Sequence, residues 1–359
     1  MNDIEINDIR KATDFKSISF SNYKISAVIK ELLNSMVNCK IEYACNWCAE
    51  LICAGHYSEL WNAILIFMGK HIHLGNPKLP IYIENRFSKF RDIVSNGYLD
   101  NELNMRNNEK IRKLFAEIMC VLCFSKKKHS IDSVKIKKEE EFDIISMKNK
   151  VKAPNITFAQ ASFLKGDPKE LFIAINELAY NISSGSKDTL TACKWIEWII
   201  EFERLCKKRK ETCHCERRTF ASVQDKYQMD IVWLIWDVLL NECSARKNNE
   251  LCKRIITSTL NIFCIKYTPA VKKRRRFLMY FAVGLLTEEV NYNIDIISNK
   301  KEIDAIVSKI NVVYKQIKHN EEKPHNEYLF NGMSKKSNLE KTIEKLDKMR
   351  DFNNIIPQI

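Results

Sequence analysis

Apolar residues recur along this chain at intervals of three and four. In residues 25–37, ISAVIKELLNSMV, the side chains of Ile25, Val28, Ile29, Leu32, Leu33 and Met36 fall on one face. That spacing predicts an amphipathic helix burying one side. Residues 41–54, IEYACNWCAELICA, repeat the pattern and run into Gly55, a natural breaker at a helix C-terminus. A third helix is predicted over 58–72 with Ser58 as its N-cap, ending before GNPKLP at 75–80, where two prolines and a glycine force a break. Amphipathic stretches at 81–95 and 106–124 complete a first helical domain, residues 1–125.

The pattern then changes. Residues 126–166 begin KKKHSIDSVKIKKEEEFDIISM, charge-dense and rich in β-branched residues, and continue with turn chemistry. They read as a charged linker with one short strand at 133–137. Helical periodicity resumes at Asp167 and Pro168, an N-cap followed by a residue suited to the first helical position. It continues through 168–182, 187–207, 222–245, 248–267, 270–288 and 301–319, which gives a second helical domain over 167–320. Within it QMDIVWLIWDVLL, residues 228–240, is apolar on nearly every side and belongs at the centre. Residues 321–359 read as a mobile tail with one short helix at 338–350. The expected fold is all-α, two helical-bundle or short solenoid-like domains joined by the charged linker.

Composition narrows the function classes. The 359 residues hold only eight glycines and seven prolines, which disfavours Gly-rich phosphate loops and favours long helices. None of the nucleotide-binding, nucleophile-elbow, zinc-protease or calcium-loop motifs occurs. No catalytic residue and no cofactor is therefore assigned, and the chain reads as non-enzymatic. The N-terminal MNDIEINDIR lacks an apolar leader core. The longest uncharged apolar run, FLMYFAVGLL at 277–286, has half of the roughly 20 residues a bilayer requires. Membrane association is not expected.

Thirteen cysteines sit mostly inside apolar helical patterns, where a free thiol behaves as a small hydrophobe in a reducing compartment. Cys45 and Cys48, like Cys120 and Cys123, have metal-ligand spacing but lie within helices and read as core. Cys213, His214 and Cys215 lie between helices, yet adjacent side chains cannot all reach one ion without strain, so no metal site is assigned. His71 and His73, two apart on an expected helix, point about 200° apart.

Charge points further. The formal net charge is +13, an excess that attracts phosphate-bearing partners over long range. It concentrates in two places. One is the stretch CKKRKETCHCERR at 206–218, where Lys207, Lys208, Arg209, Lys210, Arg217 and Arg218 outnumber Glu211 and Glu216. The other is VKKRRRF at 271–277, where Lys272, Lys273, Arg274, Arg275 and Arg276 open an expected helix. Five cations there oppose the helix dipole. Phosphate contact would repay them, and arginine forks suit phosphate oxygens. The expectation is that removing Arg274, Arg275 and Arg276 leaves the fold intact.

Three stretches, ACNWCAELICAGHYSELWN (44–62), KHIHLGNPKLPIYIENRFSKFRDI (70–93) and RRRFLMYFAVGLLTEE (274–289), resemble uncharacterised proteins of nucleocytoplasmic large DNA viruses of the mimivirus and phycodnavirus kind. The resemblance implies a viral protein of the host cytoplasm, in the viral factory, or of the virion. The expected function is a viral accessory protein that associates with nucleic acid, through its phosphate backbone, or with a replication or transcription assembly. The alternative is a virion structural or assembly protein acting through helix-mediated protein contacts.

Overall fold

The computed structural model describes residues 4–99, 101–136, 142, 150–246, 249–322 and 342. The fold is all-α. Among the described residues the only β pairing is an isolated bridge between Ile18 and Lys24. The helices are α1 Ile25–Val37, α2 Ile41–Cys53, α3 Tyr57–Phe67, α4 Leu79–Ser95 and α5 Glu109–Phe124. After these come α6 Phe172–Ile182, α7 Thr189–Lys208, α8 Val232–Ala245, α9 Glu250–Phe263, α10 Arg276–Thr287, α11 Lys300–Ser308 and α12 Asn311–Ile317.

The helices gather into two compact units that interleave in sequence. One holds Met1–Ala63, Lys89–Phe124 and Asn299–Ile359, the other Ile64–Ser88 and Ser125–Ser298. This division differs from the chain-order boundaries at 125 and 167, because a periodic apolar stripe shows that a helix is packed without showing against what.

In the first unit α2 packs against α1, α5 and α12, and α11 covers α5. Helix α2 ends as its sequence requires, with Gly55 in the left-handed region at φ 80°. An aromatic cluster of Tyr57, Trp61, Phe90 and Phe115 fills the core, with Trp61 and Phe115 centroids 5.3 Å apart. The expected single stretch at 301–319 is two helices, broken at Lys309 so that Ile310 can turn inward.

In the second unit α8 is central, packed by α6, α7, α9 and α10. Trp233 and Trp236 on it are fully buried, and Trp236 meets Phe263 of α9 at 5.3 Å. No strand forms among residues 131–136, and Lys137 lies outside the described residues. The described part of the expected linker is anchored: the N–H groups of Lys152 and Ala153 donate to the buried carboxylate of Glu177 on α6, at 3.0 and 2.8 Å. Asp167 does not cap a helix. The 3-10 turn Lys169–Leu171 precedes α6, and the Asp167 carboxylate serves a buried arginine. The helix expected at 338–350 lies, Thr342 apart, outside the described residues. No described helix is long and apolar enough to cross a membrane.

Candidate nucleic-acid interface

The site is built on α7. Asp188 caps its start, accepting from the Thr191 N–H at 2.9 Å, and Lys207 and Lys208 close its last turn, where cations suit the negative end of the dipole. One side carries Trp195, Ile199 and Cys206 into the core. The other carries Glu197 and Glu201, one turn apart. Those carboxylates are matched rather than solvated, as burial of charge requires.

Their partners come from residues 272–276. These residues are not the first turn of a helix as expected: 272–275 form a turn, and α10 begins at Arg276. Arg275 and Arg276 still stand at the positive end of α10, and acids compensate Lys272, Lys273 and Arg276. Lys272 is only 4% exposed. Its ammonium donates to Asp230 Oδ1 and Oδ2 at 2.7 and 2.9 Å and pairs with Glu203. Asp230 also accepts from the Tyr267 hydroxyl at 2.9 Å. Lys273 pairs with Glu201 at 3.0 Å. Arg276 pairs with Glu197 at 2.9 Å, and the Tyr280 hydroxyl donates to the same carboxylate at 2.7 Å. Burial raises the Glu197 pKa against the pull of Arg276.

Arg275 is 2% exposed. Its guanidinium donates to the carbonyls of Phe263 and Ile265, both at 2.6 Å. It therefore satisfies orphan acceptors at the C-terminus of α9, which is also the end of a helix that favours a cation. Burial lowers its pKa to about 10. Arg274, between these two neighbours, is exposed.

The 206–218 stretch divides in the same way. Arg218 is 3% exposed and sits in a cage of acceptors. It reaches Asp167 at 2.7 Å, Asp237 at 2.8 Å and the Ser162 carbonyl at 2.9 Å. Burial raises the Asp237 pKa against this pairing. Arg217 is exposed and spans Gln228 at 2.6 Å and Asp225 at 3.1 Å. Lys207 pairs with Glu203 at 2.6 Å. Lys208, Arg209 and Lys210 are exposed. Among the described residues, no ion pair involves Lys208, Arg209, Lys210 or Arg274.

Three of the eleven cations expected at the surface are therefore corrected: Lys272, Arg275 and Arg218 are interior, each neutralised or capped where a sequence shows only its charge. The other correction is one of arrangement. Glu203 holds both Lys207 and Lys272, and Glu201 holds both Arg204 and Lys273. Through Glu203 the two basic runs, more than fifty residues apart in sequence, meet at the end of α7.

Lys210 is distinguished by its backbone as well as its charge. It has φ 60°, at the position after a helix where glycine is usual. The Glu211 N–H closes back on the Cys206 carbonyl at 2.9 Å. A lysine held in the left-handed region costs about 1–2 kcal/mol. The return is this helix cap, in which the Lys210 N–H also donates to the Lys207 carbonyl at 3.2 Å, and glycine would provide the same cap without the cost.

The thiols beside this site are packing groups. Cys206, Cys213 and Cys215 are buried while His214 is exposed. Cys206 and Cys213 hydrogen-bond each other, and burial pushes Cys213 up to about 12. Cys45, Cys48, Cys120 and Cys123 are buried where α2 and α5 pack. Among the described residues no group of three or more His, Cys, Asp or Glu side chains is arranged to hold a metal ion. His71 and His73 are not on one α-helix: His71 lies in the π-turn Met68–Ile72 and His73 opens the 3-10 turn His73–Gly75. Burial and the adjoining His129 push His71 down to about 4.

Comparison with family models, with curated proteins and with solved structures finds no match for this chain.

Proposed function

We propose that the chain binds the phosphate backbone of nucleic acid through the cations gathered at the end of α7. The observation that supports this reading is the pairing of Glu203 with both Lys207 and Lys272, one cation from each basic run, which draws the runs into one region. Lys208, Arg209, Lys210 and Arg274 supply the phosphate contacts. Lys207, Lys273, Arg276 and Arg217 flank them as paired, partly exposed cations. Lys272, Arg275 and Arg218 act inside, holding the platform in place.

Binding of this kind is electrostatic and independent of sequence. Contacts of this kind fix position on the backbone and carry no base information. The resemblance of 44–62, 70–93 and 274–289 to proteins of large DNA viruses extends the proposal to a viral replication or transcription assembly.

The test is a variant with Lys208, Arg209, Lys210 and Arg274 all replaced by Gln, assayed by filter binding on duplex DNA at several salt concentrations. Its log-affinity against log-salt slope should flatten by about 0.9 for each phosphate contact removed, with the melting temperature retained. Unchanged binding and slope would reject the reading. The chain would then be better described as an assembly protein working through helix-mediated contacts with other proteins.

A further inference from the structure

A second site lies in the Ile64–Ser88 and Ser125–Ser298 unit and is independent of the basic cluster. The π-turn Met68–Ile72 follows α3 directly, and residues 128–130 run alongside it in the opposite direction. The Ser130 N–H donates to the Lys70 carbonyl at 2.8 Å, and the Lys128 N–H donates to the Ile72 carbonyl at 3.2 Å. Those two bonds bracket the residues between them. His71 and His129 are set opposite each other, and their Nδ1 atoms lie 3.2 Å apart. Phe67 stacks on the His71 ring at 5.2 Å with a tilt of 30°, which limits its rotation. The two imidazole planes are nearly perpendicular, at 84°.

We propose that His71 and His129 form a two-histidine site for a divalent cation of the zinc, nickel or copper class. Imidazole nitrogen suits these borderline ions and not calcium or magnesium. A tetrahedral ion with metal–nitrogen bonds of about 2.0–2.1 Å sets its donor atoms about 3.4 Å apart. The present separation is within a few tenths of an ångström of that, so an ion could replace the shared proton with little movement of either ring. Among the described residues, neither nitrogen bonds a carbonyl or carboxylate that would have to be displaced. With no third His, Cys, Asp or Glu grouped with them among the described residues, water completes the coordination shell. Such a shell is open and exchangeable, as in sites that bind or bridge a ligand, and unlike the closed four-ligand shell of a structural zinc.

Calorimetric titration of the chelator-treated, desalted full chain with Ni2+ tests the site, in a Cys39→Ser background that removes the exposed thiol. The parent should bind one ion. His71→Gln and His129→Gln should each weaken that event by more than about tenfold, since losing even an outer-shell partner costs about that much. Equal binding by parent and both variants, or none by the parent, would overturn the assignment. Should either variant melt early, electron paramagnetic resonance of the parent with one equivalent of Cu2+ decides instead. Hyperfine splitting from two imidazole nitrogens is expected, and a spectrum without nitrogen coupling would sink the proposal.

Discussion

The ammonium of Lys272 lies 2.7 Å from Oδ1 of Asp230, and both side chains are withdrawn from solvent. A lysine that reads in the sequence as part of an exposed basic run is instead the centre of a buried network with Glu203 and Tyr267. Removing it should strand two interior carboxylates. Lys272→Met is therefore expected to lower the unfolding free energy by about 3–5 kcal/mol, the usual cost of breaking one side of a buried pair. Denaturant unfolding of the variant checks this, and a loss under about 1 kcal/mol would mean that the network is open to water.

Lys210 offers the opposite case. Glycine at this left-handed position relieves the side-chain clash, so Lys210→Gly should stabilise the fold by up to about 1 kcal/mol. The same change deletes an exposed cation. A thermal melt and a duplex-binding titration on one sample should move in opposite directions, melting temperature up and affinity down. A variant that binds duplex as tightly as the parent would leave the lysine strain without a functional account.

Much of the helical framework is legible in the sequence, and the reasons for the exceptions are physical. The apolar spacing in 25–37, the breaker at Gly55 and the all-round apolar 228–240 stretch each report a local requirement that packing then uses. Charge is different, because its meaning depends on partners. Glu197 and Glu201 lie opposite the apolar stripe of α7, and Arg276 and Lys273 read in the sequence as a conflict with a dipole. Together they cancel, and nothing local says that residues nearly eighty positions apart will meet. Asp167 shows the same: a good capping residue on paper, taken up by Arg218 from 51 positions away. A stripe of acids in one helix and a run of bases elsewhere was the available signal for complementarity.

The first unit gives a prediction in pH. Glu50 is buried and accepts from the Ser19 hydroxyl at 2.8 Å and from the Ser21 N–H at 3.0 Å. Burial raises its pKa despite these bonds. A raised carboxyl pKa favours folding below the ordinary carboxylate range, and that contribution is lost as pH rises through the folded value. Glu50→Gln cannot ionise. Its melting temperature relative to the parent should therefore climb as pH is raised from about 4 toward neutrality. A difference independent of pH would show that the carboxylate is already charged at no cost.

Thiol accessibility gives another. Of the thirteen free cysteines only Cys39 is exposed, at φ 54° in the turn between α1 and α2. The native chain should show one fast-reacting thiol with a disulfide reagent at neutral pH, absent in Cys39→Ser, and the rest only after unfolding. Several fast thiols in Cys39→Ser would contradict the packing of α2 against α5.

The account rests on dividing the cations into those that hold the fold and those that meet phosphate, and two adjacent residues divide it most sharply. Arg274 is exposed, while Arg275 caps the carbonyls of Phe263 and Ile265. The measurement is duplex-binding affinity against salt for Arg274→Gln and Arg275→Gln, with melting temperatures alongside. Arg274→Gln should flatten the slope by about 0.9 and leave the melting temperature unchanged. Arg275→Gln should lower the melting temperature and, while folded, keep the parental slope. A parental slope in Arg274→Gln, or a flattened slope in a fully stable Arg275→Gln, would contradict it.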